Sequence, residues 1–225
     1  MSDLCPKIFT LLSKNKELIL LVSKDQSKLP DRILGNDIDL LVESSAIELW
    51  INELKSICEN IGCEFKILTC NYYVVKTTIS HKNEKIFIDL NYNFMWYFYE
   101  FAKYNDLLSQ AKLKNVVFEL NQKQAKYFNF CLSFLYGGFI NEKYITIDEI
   151  FDLRILDKFN FSGLFNPRNL KLLLQKKSGI NCLRIYILLT QLVFNPLGSI
   201  KNIIKILMRT RRMRKYVAAI GANNI

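Results

Sequence analysis

Histidine is nearly absent from this 225-residue chain, and its six cysteines form no metal-binding motif. The one histidine, His81, lies in a polar turn, and no two cysteines are spaced as C-x-x-C. These absences disfavour a zinc site, a haem attachment site and a redox dithiol, and also Ser-His-Asp and Cys-His enzymes. Scattered thiols that stay reduced are typical of a cytosolic protein.

The chain also lacks long uncharged apolar runs, although half of its residues are hydrophobic. No run reaches the roughly 18 residues that a membrane-spanning helix needs. The N-terminal residues lack a basic region followed by an apolar stretch, which is the pattern of a signal peptide. We therefore expect a folded protein with a sizeable core, located in the cytoplasm.

Acidic residues are absent from the last part of the chain. All 21 Asp and Glu residues lie at or before Asp157, where they accompany 18 Lys and Arg residues. The remaining 68 residues carry 13 Lys and Arg residues and no acid, so the formal net charge of +10 is concentrated there. This asymmetry predicts an anionic partner for the C-terminal part.

Two of the acids, Asp37 and Asp39, accompany the short apolar segment that ends at Val42. Gly35 and Asn36 favour a turn just before them, and the β-branched and apolar residues that follow predict a strand. Because alternate strand residues share a face, the two carboxylates project side by side. They repel each other unless a cation lies between them, and Mg²⁺, which takes oxygen ligands, is the obvious candidate.

A second apolar segment, from Lys85 to Tyr92, carries a single acid, Asp89. If its strand neighbours the strand of Asp37 and Asp39, the three carboxylates form a two-metal site. Such a site suits in-line phosphoryl or nucleotidyl transfer, in which one metal activates the attacking oxygen and the other stabilises the leaving oxygen. The alternative interpretation is that these acids are simply solvated beside turns, as most surface carboxylates are.

The arrangement of two acids on one strand and a lone acid on a later apolar strand resembles the polymerase-β-type nucleotidyltransferase superfamily. The resemblance covers about residues 15–92. It implies that Asp37 and Asp39 hold the metals, and that Asp89 ligates one of them and helps to deprotonate the incoming hydroxyl. The implied substrates are a nucleoside triphosphate and a hydroxyl acceptor. The chain is also similar to nucleotidyltransferase-like proteins of bacterial surface-polysaccharide clusters, which implies a glycan or a lipid-linked acceptor.

Members of that superfamily hold the triphosphate with a Gly-Ser pair ahead of the first acid. In this chain the corresponding place, after the apolar segment over residues 18–22, is Ser23-Lys24. We expect Ser23, Lys24, Lys28 and Arg32 to contact substrate phosphates, although the three bases also fit a solvated loop. Because the glycine is missing, a second hypothesis is a catalytically degenerate head that binds a partner.

The order of the predicted elements gives an α/β (α+β) fold class, with a small mixed β-sheet head followed by a helical C-terminal region. The head, residues 1–120, has predicted elements as follows: a helix over 4–15, strands over 18–22, 38–42, 65–80 and 85–92, and a helix from Ser44 or Ser45 to Ile61, ended by Gly62. The helical region, residues 121–215, has predicted helices over 122–139, 147–159, 170–177, 180–194 and 199–215. Residues 216–225 resemble a strand that enters a glycine loop, either by coincidence or as the truncated start of a further P-loop-like domain.

The predicted helix over residues 199–215 is amphipathic and basic. Helices of this kind lie on anionic membrane surfaces, and basic patches also bind nucleic acid. A continuous apolar face favours membrane lipid or a lipid-linked glycan over nucleic acid, and it would make the protein peripheral to the inner face of the membrane. The helix also fits a plain packing role on the head, with its bases in water.

Overall fold

The computed structural model describes residues 4–15, 17–23, 26, 28–33, 37–159, 161 and 165–220. Its helices are α1 (Leu4–Lys14), α2 (Ile47–Ile61), α3 (Tyr104–Leu108), α4 (Gln122–Cys131), α5 (Ile147–Asp152), α6 (Pro167–Leu174), α7 (Lys177–Phe194) and α8 (Pro196–Ala219). A π-helical segment, Leu132–Gly137, follows α4, and a 3-10 helix, Ile155–Phe159, comes after α5. Its strands are β1 (Leu21–Val22), β2 (Asp37–Leu41), β3 (Glu64–Cys70), β4 (Val74–His81), β5 (Glu84–Asn91), β6 (Met95–Trp96), β7 (Tyr99–Glu100), β8 (Lys112–Lys114) and β9 (Val117–Glu119). The predicted α/β class, a mixed sheet with a helical C-terminal region, is confirmed.

The chain divides into two units. The first, here called the sheet unit, comprises Met1–Phe94, Lys103–Asn121 and Lys205–Ile225. The second, here called the helical unit, comprises Met95–Ala102 and Gln122–Ile204. The divisions follow residues 94, 102, 121 and 204, so each unit contains segments from both sides of residue 120.

Seven strands of the sheet unit form one mixed sheet in the order β3-β4-β5-β2-β1-β9-β8. The pairs β2–β5 and β1–β9 are parallel, and the other neighbours are antiparallel. The apolar residues of β2 and β5 explain their central position, because Ile38 and Leu40 align with Ile88 and Leu90 and all four are buried. The two strands are therefore neighbours, which is the condition that a three-carboxylate site requires.

The predicted single strand over residues 65–80 is wrong, because the chain turns at Asn71 and forms β3 and β4 instead. The Asn71 side chain accepts hydrogen bonds from the backbone N–H groups of Tyr73 and Val74, at 3.2 and 3.0 Å. An asparagine side chain that bonds to the backbone two or three residues ahead closes a turn. The next hairpin, between β4 and β5, turns at Lys82, which has a positive φ of 52°.

Helices α1 and α2 contribute apolar side chains to the same core as the strands of the sheet unit. The buried residues of α2 recur at helical spacing: Ile47, Trp50, Ile51, Leu54, Ile57 and Cys58. The predicted serine cap of this helix is wrong, because α2 begins after Ala46 and the Ser44 hydroxyl donates instead to the Tyr92 carbonyl. Gly62, with a φ of 70°, ends the helix as predicted.

The end of α8 differs from the predicted strand, because residues 216–219 continue the helix. Met213 and Val217 are one helical turn apart, and both are buried in the core of the sheet unit. Tyr216 adds to this packing, since its hydroxyl donates to the Glu48 backbone carbonyl at 3.2 Å. Residues 221–225, where a glycine loop was expected, lie outside the described residues.

The interior of the helical unit is largely aromatic. The ring of Phe159 has its centroid within 6.4 Å of five other rings: Tyr99, Tyr127, Phe130, Phe134 and Phe161. Helix α5 begins with a capping box, in which Thr146 and Glu149 exchange hydrogen bonds between side chain and backbone. Helices form within each of the five segments predicted after residue 121, and the first of them changes to π geometry at Leu132. The predicted single helix over residues 147–159 is wrong, because α5 ends at Asp152 and a turn with Arg154 at a positive φ of 52° separates it from the 3-10 helix. Among the described helices, none alone is long and apolar enough to cross a membrane, and α7 and α8 meet that requirement only when taken together as a bent pair.

Candidate metal centre

Asp37, Asp39 and Asp89 converge on one face of the sheet. Asp37 and Asp39 are alternate residues of β2, so they project to the face opposite the buried Ile38. Asp89 lies on β5 in direct register with Asp39. One carboxylate oxygen of each of the three acids lies within 4.8 Å of the others. The cluster could therefore hold a metal ion, because carboxylate oxygens are the ligands that hard cations prefer.

The electrostatics of the cluster favour a cation. Asp37 and Asp39 are partly exposed, whereas Asp89 is buried. Burial raises the pKa of Asp89, and the negative charges of Asp39 and Asp37 raise it further. Both effects oppose the ionised form of Asp89, so a bound cation would relieve the desolvation and the repulsion together.

Lys76 was not among the predicted site residues, but it contacts the cluster. It lies on β4 opposite Asp89, and its Nζ donates to Asp89 Oδ2 at 2.6 Å. Burial lowers the pKa of Lys76, but this hydrogen bond and the charges of Asp89 and Asp39 outweigh burial and raise it. The sequence does contain a signal for this contact: a two-residue turn at Lys82 and Asn83 fixes a hairpin register that pairs residue 76 with residue 89.

Three charged residues thus follow one another across adjacent strands: Asp39 on β2, Asp89 on β5 and Lys76 on β4. Asp89 has an anionic neighbour on one side and a cationic neighbour on the other. The Lys76 ammonium therefore neutralises part of the charge that a metal ion would otherwise neutralise.

Ser23 borders the cluster through its backbone. It directly follows β1, and its N–H donates to the Asp39 carbonyl at 3.4 Å. Ser23 is buried, and its hydroxyl has no hydrogen-bond partner within the part of the chain that the structure describes. A buried hydroxyl without a partner is uncommon in a native fold, so its presence here calls for an explanation.

Two of the other predicted phosphate contacts lie in a described part of the chain. Lys28 and Arg32 are exposed, and they lie in a bend where the Arg32 N–H donates to the Lys28 carbonyl at 3.1 Å. Across the described ranges, no hydrogen bond or ion pair joins either side chain to the three acids. Lys24 and the turn residues 35–36 lie outside the described residues.

Comparison with known proteins identifies no relative of this chain. No protein-family model, no curated protein and no solved structure matches this chain. The geometry of the acidic cluster is therefore the main observation that bears on function.

Proposed function

We propose that the chain is a Mg²⁺-dependent nucleotidyltransferase of the polymerase-β type. It transfers a nucleoside monophosphate, or a related phosphoryl group, from a nucleoside triphosphate to a hydroxyl acceptor. The observation that carries the proposal is the register of Asp39 with Asp89 on neighbouring parallel strands, with Asp37 beside them. Two-metal transfer requires carboxylates that converge in this way and stay open to substrate on one side.

The donor set of the cluster fits Mg²⁺. Three carboxylates supply oxygen ligands alone, and the partial exposure of Asp37 and Asp39 leaves room for substrate phosphates. Zn²⁺ fits less well, because no histidine or cysteine belongs to the cluster among the described residues. Bound at this site, Mg²⁺ would activate the attacking oxygen and stabilise the leaving oxygen.

The side chains of the site have distinct roles in this proposal. Asp37 and Asp39 hold the metal, and Asp89 also ligates it. Because burial raises the pKa of Asp89, this carboxylate is suited to accept the proton of the incoming hydroxyl. Lys76 positions Asp89 through their 2.6 Å hydrogen bond. The unpartnered hydroxyl of Ser23 is available to donate to a substrate phosphate.

The two substrates meet different parts of the chain in this proposal. Lys28 and Arg32 are exposed bases that can add contacts to the triphosphate when it is bound. The hydroxyl acceptor belongs to the class that the sequence resemblance implies, a glycan or a lipid-linked sugar.

A second candidate function, a binding module without catalysis, is favoured by Lys76. Its ammonium already neutralises part of the cluster, as a bound cation would. Replacement of a metal by a lysine would also agree with the absence of the Gly-Ser pair. The two functions differ in one measurable respect: only the enzyme binds a divalent cation and a nucleotide together at the three acids.

A thermal-shift titration with Mg²⁺ and each common nucleoside triphosphate tests the proposal. We expect a rise in Tm that requires both ligands, because ligands that bind only the native state stabilise it. Asp39→Ala removes a metal ligand and should abolish this rise. Glu59→Ala is the matched control, since it removes an exposed carboxylate at the end of α2 and should leave the rise unchanged.

The outcome decides between the two candidate functions. A shift that depends on both ligands and disappears in Asp39→Ala supports the enzyme and identifies its nucleotide. A wild-type protein that responds to no combination of Mg²⁺ and nucleotide would sink the enzyme and leave the binding module. With the nucleotide known, the double variant Asp37→Ala, Asp39→Ala should lose turnover while keeping the wild-type circular dichroism spectrum.

A further inference from the structure

Exposed apolar side chains are concentrated at one place in the helical unit. Of the sixteen large hydrophobic residues that are exposed in the described part of the chain, nine lie between residues 185 and 204. Phe194 is 84% exposed and Leu197 is 81% exposed, and they flank the break between α7 and α8, whose directions differ by 113°. We name the six most exposed of the nine the apolar corner: Ile185, Leu189, Val193, Phe194, Leu197 and Ile200.

Helix α7 is apolar on two sides. One side packs inside the helical unit through the buried residues Ile180, Leu183 and Ile187. On the other side, Ile185 and Leu189 are one helical turn apart and more than half exposed. A helix that is hydrophobic all round is normally covered by protein or by lipid. The apolar corner therefore has the character of an interaction surface.

The charges that accompany the apolar corner are all of one sign. No Asp or Glu occurs after Asp157, so neither α7 nor α8 carries an acid. On α8, Lys201 follows the corner, and Arg211 and Arg214 come later along the same helix, all three of them exposed. Apolar side chains with flanking bases complement an anionic bilayer, in which acyl chains lie beneath negatively charged phosphates.

Other partners complement this surface less well. A nucleic acid would attract the bases of α8 but would gain nothing from the aliphatic side chains of the corner, such as Val193 and Leu197. A second copy of the chain would bring two acid-free helix pairs together, and their like charges would repel. Lipid is the partner that uses both the apolar and the basic side chains.

We propose that the apolar corner docks into the surface of a membrane that contains anionic phospholipid. Phe194 and Leu197 enter the boundary of the acyl chains, while the exposed Lys201, Arg211 and Arg214 pair with lipid phosphates. None of the residues assigned to docking belongs to the acidic cluster, so docking can be tested separately from the nucleotide site.

Co-sedimentation with lipid vesicles tests the proposal. The wild-type chain should bind vesicles of phosphatidylcholine mixed with phosphatidylglycerol, and should bind pure phosphatidylcholine vesicles weakly. The double variant Phe194→Ser, Leu197→Ser should weaken binding by about tenfold or more, because two apolar side chains no longer enter the lipid. The matched control, Leu68→Ser with Leu113→Ser, removes two exposed leucines of the sheet unit and should bind as the wild type does.

The contribution of charge has its own pair of variants. Lys201→Ala and Arg211→Ala should each weaken binding to anionic vesicles by about fivefold, whereas Lys112→Ala, an exposed lysine on β8, should not. Each variant must keep the circular dichroism spectrum and Tm of the wild type, since unfolded chains also adhere to lipid.

Several outcomes overturn the proposal. The wild type does not sediment with anionic vesicles, or the Phe194→Ser, Leu197→Ser variant sediments as fully as the wild type. If the wild type forms a dimer and binds no lipid, and if the Phe194→Ser, Leu197→Ser variant is a monomer, then the partner of the apolar corner is a second copy of the chain. If the wild type binds oligonucleotides more tightly than vesicles at the same salt concentration, then the partner of α8 is a nucleic acid. Asp39→Ala should bind vesicles as the wild type does, so a failure of the nucleotide site is distinguishable from a failure of docking.

Discussion

Asp89 lies between a cation and two anions, and its protonation therefore reports on the whole cluster. Asp39 is aligned with it on one side and Lys76 on the other. The side chain of Asp89 is only 12% exposed, whereas that of Lys76 is 48% exposed. Water around Lys76 screens the ion pair, so the pair leaves the cluster with part of its negative charge. With that remaining charge the cluster could hold a metal ion.

Two substitutions should move the pKa of Asp89 in opposite directions. Lys76→Met removes the hydrogen bond and the positive charge that hold the pKa of Asp89 down, so this pKa should rise. Asp39→Asn removes a negative charge that raises it, so the pKa should fall. Carboxyl-carbon NMR titration in divalent-free buffer measures both shifts, with Lys112→Met as the control. Shifts of the same sign in the two variants would contradict the arrangement of Asp89 between Asp39 and Lys76.

Among the elements, the last turns of α8 contribute directly to the core of the sheet unit. Val217 is fully buried there, and Met213 is buried one turn earlier. Lys215 lies on the same turn as Val217 but is exposed. The helix end therefore offers a buried and an exposed position for comparison within three residues.

Val217→Ala should lower the free energy of unfolding by about 2 kcal/mol, because it removes buried methyl groups and leaves a cavity. Lys215→Ala should change it by less than about 0.5 kcal/mol, because its side chain is in water. Urea unfolding followed by circular dichroism measures both values. If the two substitutions had equal effects, the end of α8 would not be packed in the core.

The central strands could be predicted because their signal is local. Ile38 and Leu40 alternate with Asp37 and Asp39, and a period of two shows which side chains share a face. The same alternation brought the two acids of β2 together without any knowledge of the fold. The register of β5, which brings Asp89 to them, had to be assumed.

Elements that depend on distant contacts could not be predicted in the same way. Only Leu21 and Val22 of the strand expected over residues 18–22 are paired, and β8 and β9 were not predicted. Strands of two or three residues are defined by their neighbours more than by their own composition. The segment 216–219 has strand-like residues, yet the burial of Val217 against the sheet unit keeps it helical. Tertiary packing decided each of these elements.

For the whole molecule, the two units alternate along the chain. The sheet unit is built from three segments and the helical unit from two, so the chain passes between the units four times. The last passage lies inside α8, between Ile204 and Lys205. One continuous helix thus contributes residues to two separate units.

Amide hydrogen exchange should divide α8 between these two units. Amides of residues 196–204 should exchange their hydrogens at rates similar to those of α7. Amides of residues 213–217 should exchange at rates similar to those of β2 and β5, because each group opens with the unit in which it packs. Val217→Ala should then reduce protection in β2 and β5 more than in α7. Equal losses of protection throughout would mean that the two units open together.

The passage at residue 204 also sets which of the two units is completed first on the ribosome. Every described strand of the sheet unit is translated before Met213 and Val217, yet these two side chains fill the core that those strands build. The nascent sheet unit therefore retains an unfilled apolar surface until the entire helical unit has been synthesised. A chaperone that shields apolar surface has a defined interval in which to act. The unit whose first strands emerge early is therefore the last to be fully synthesised.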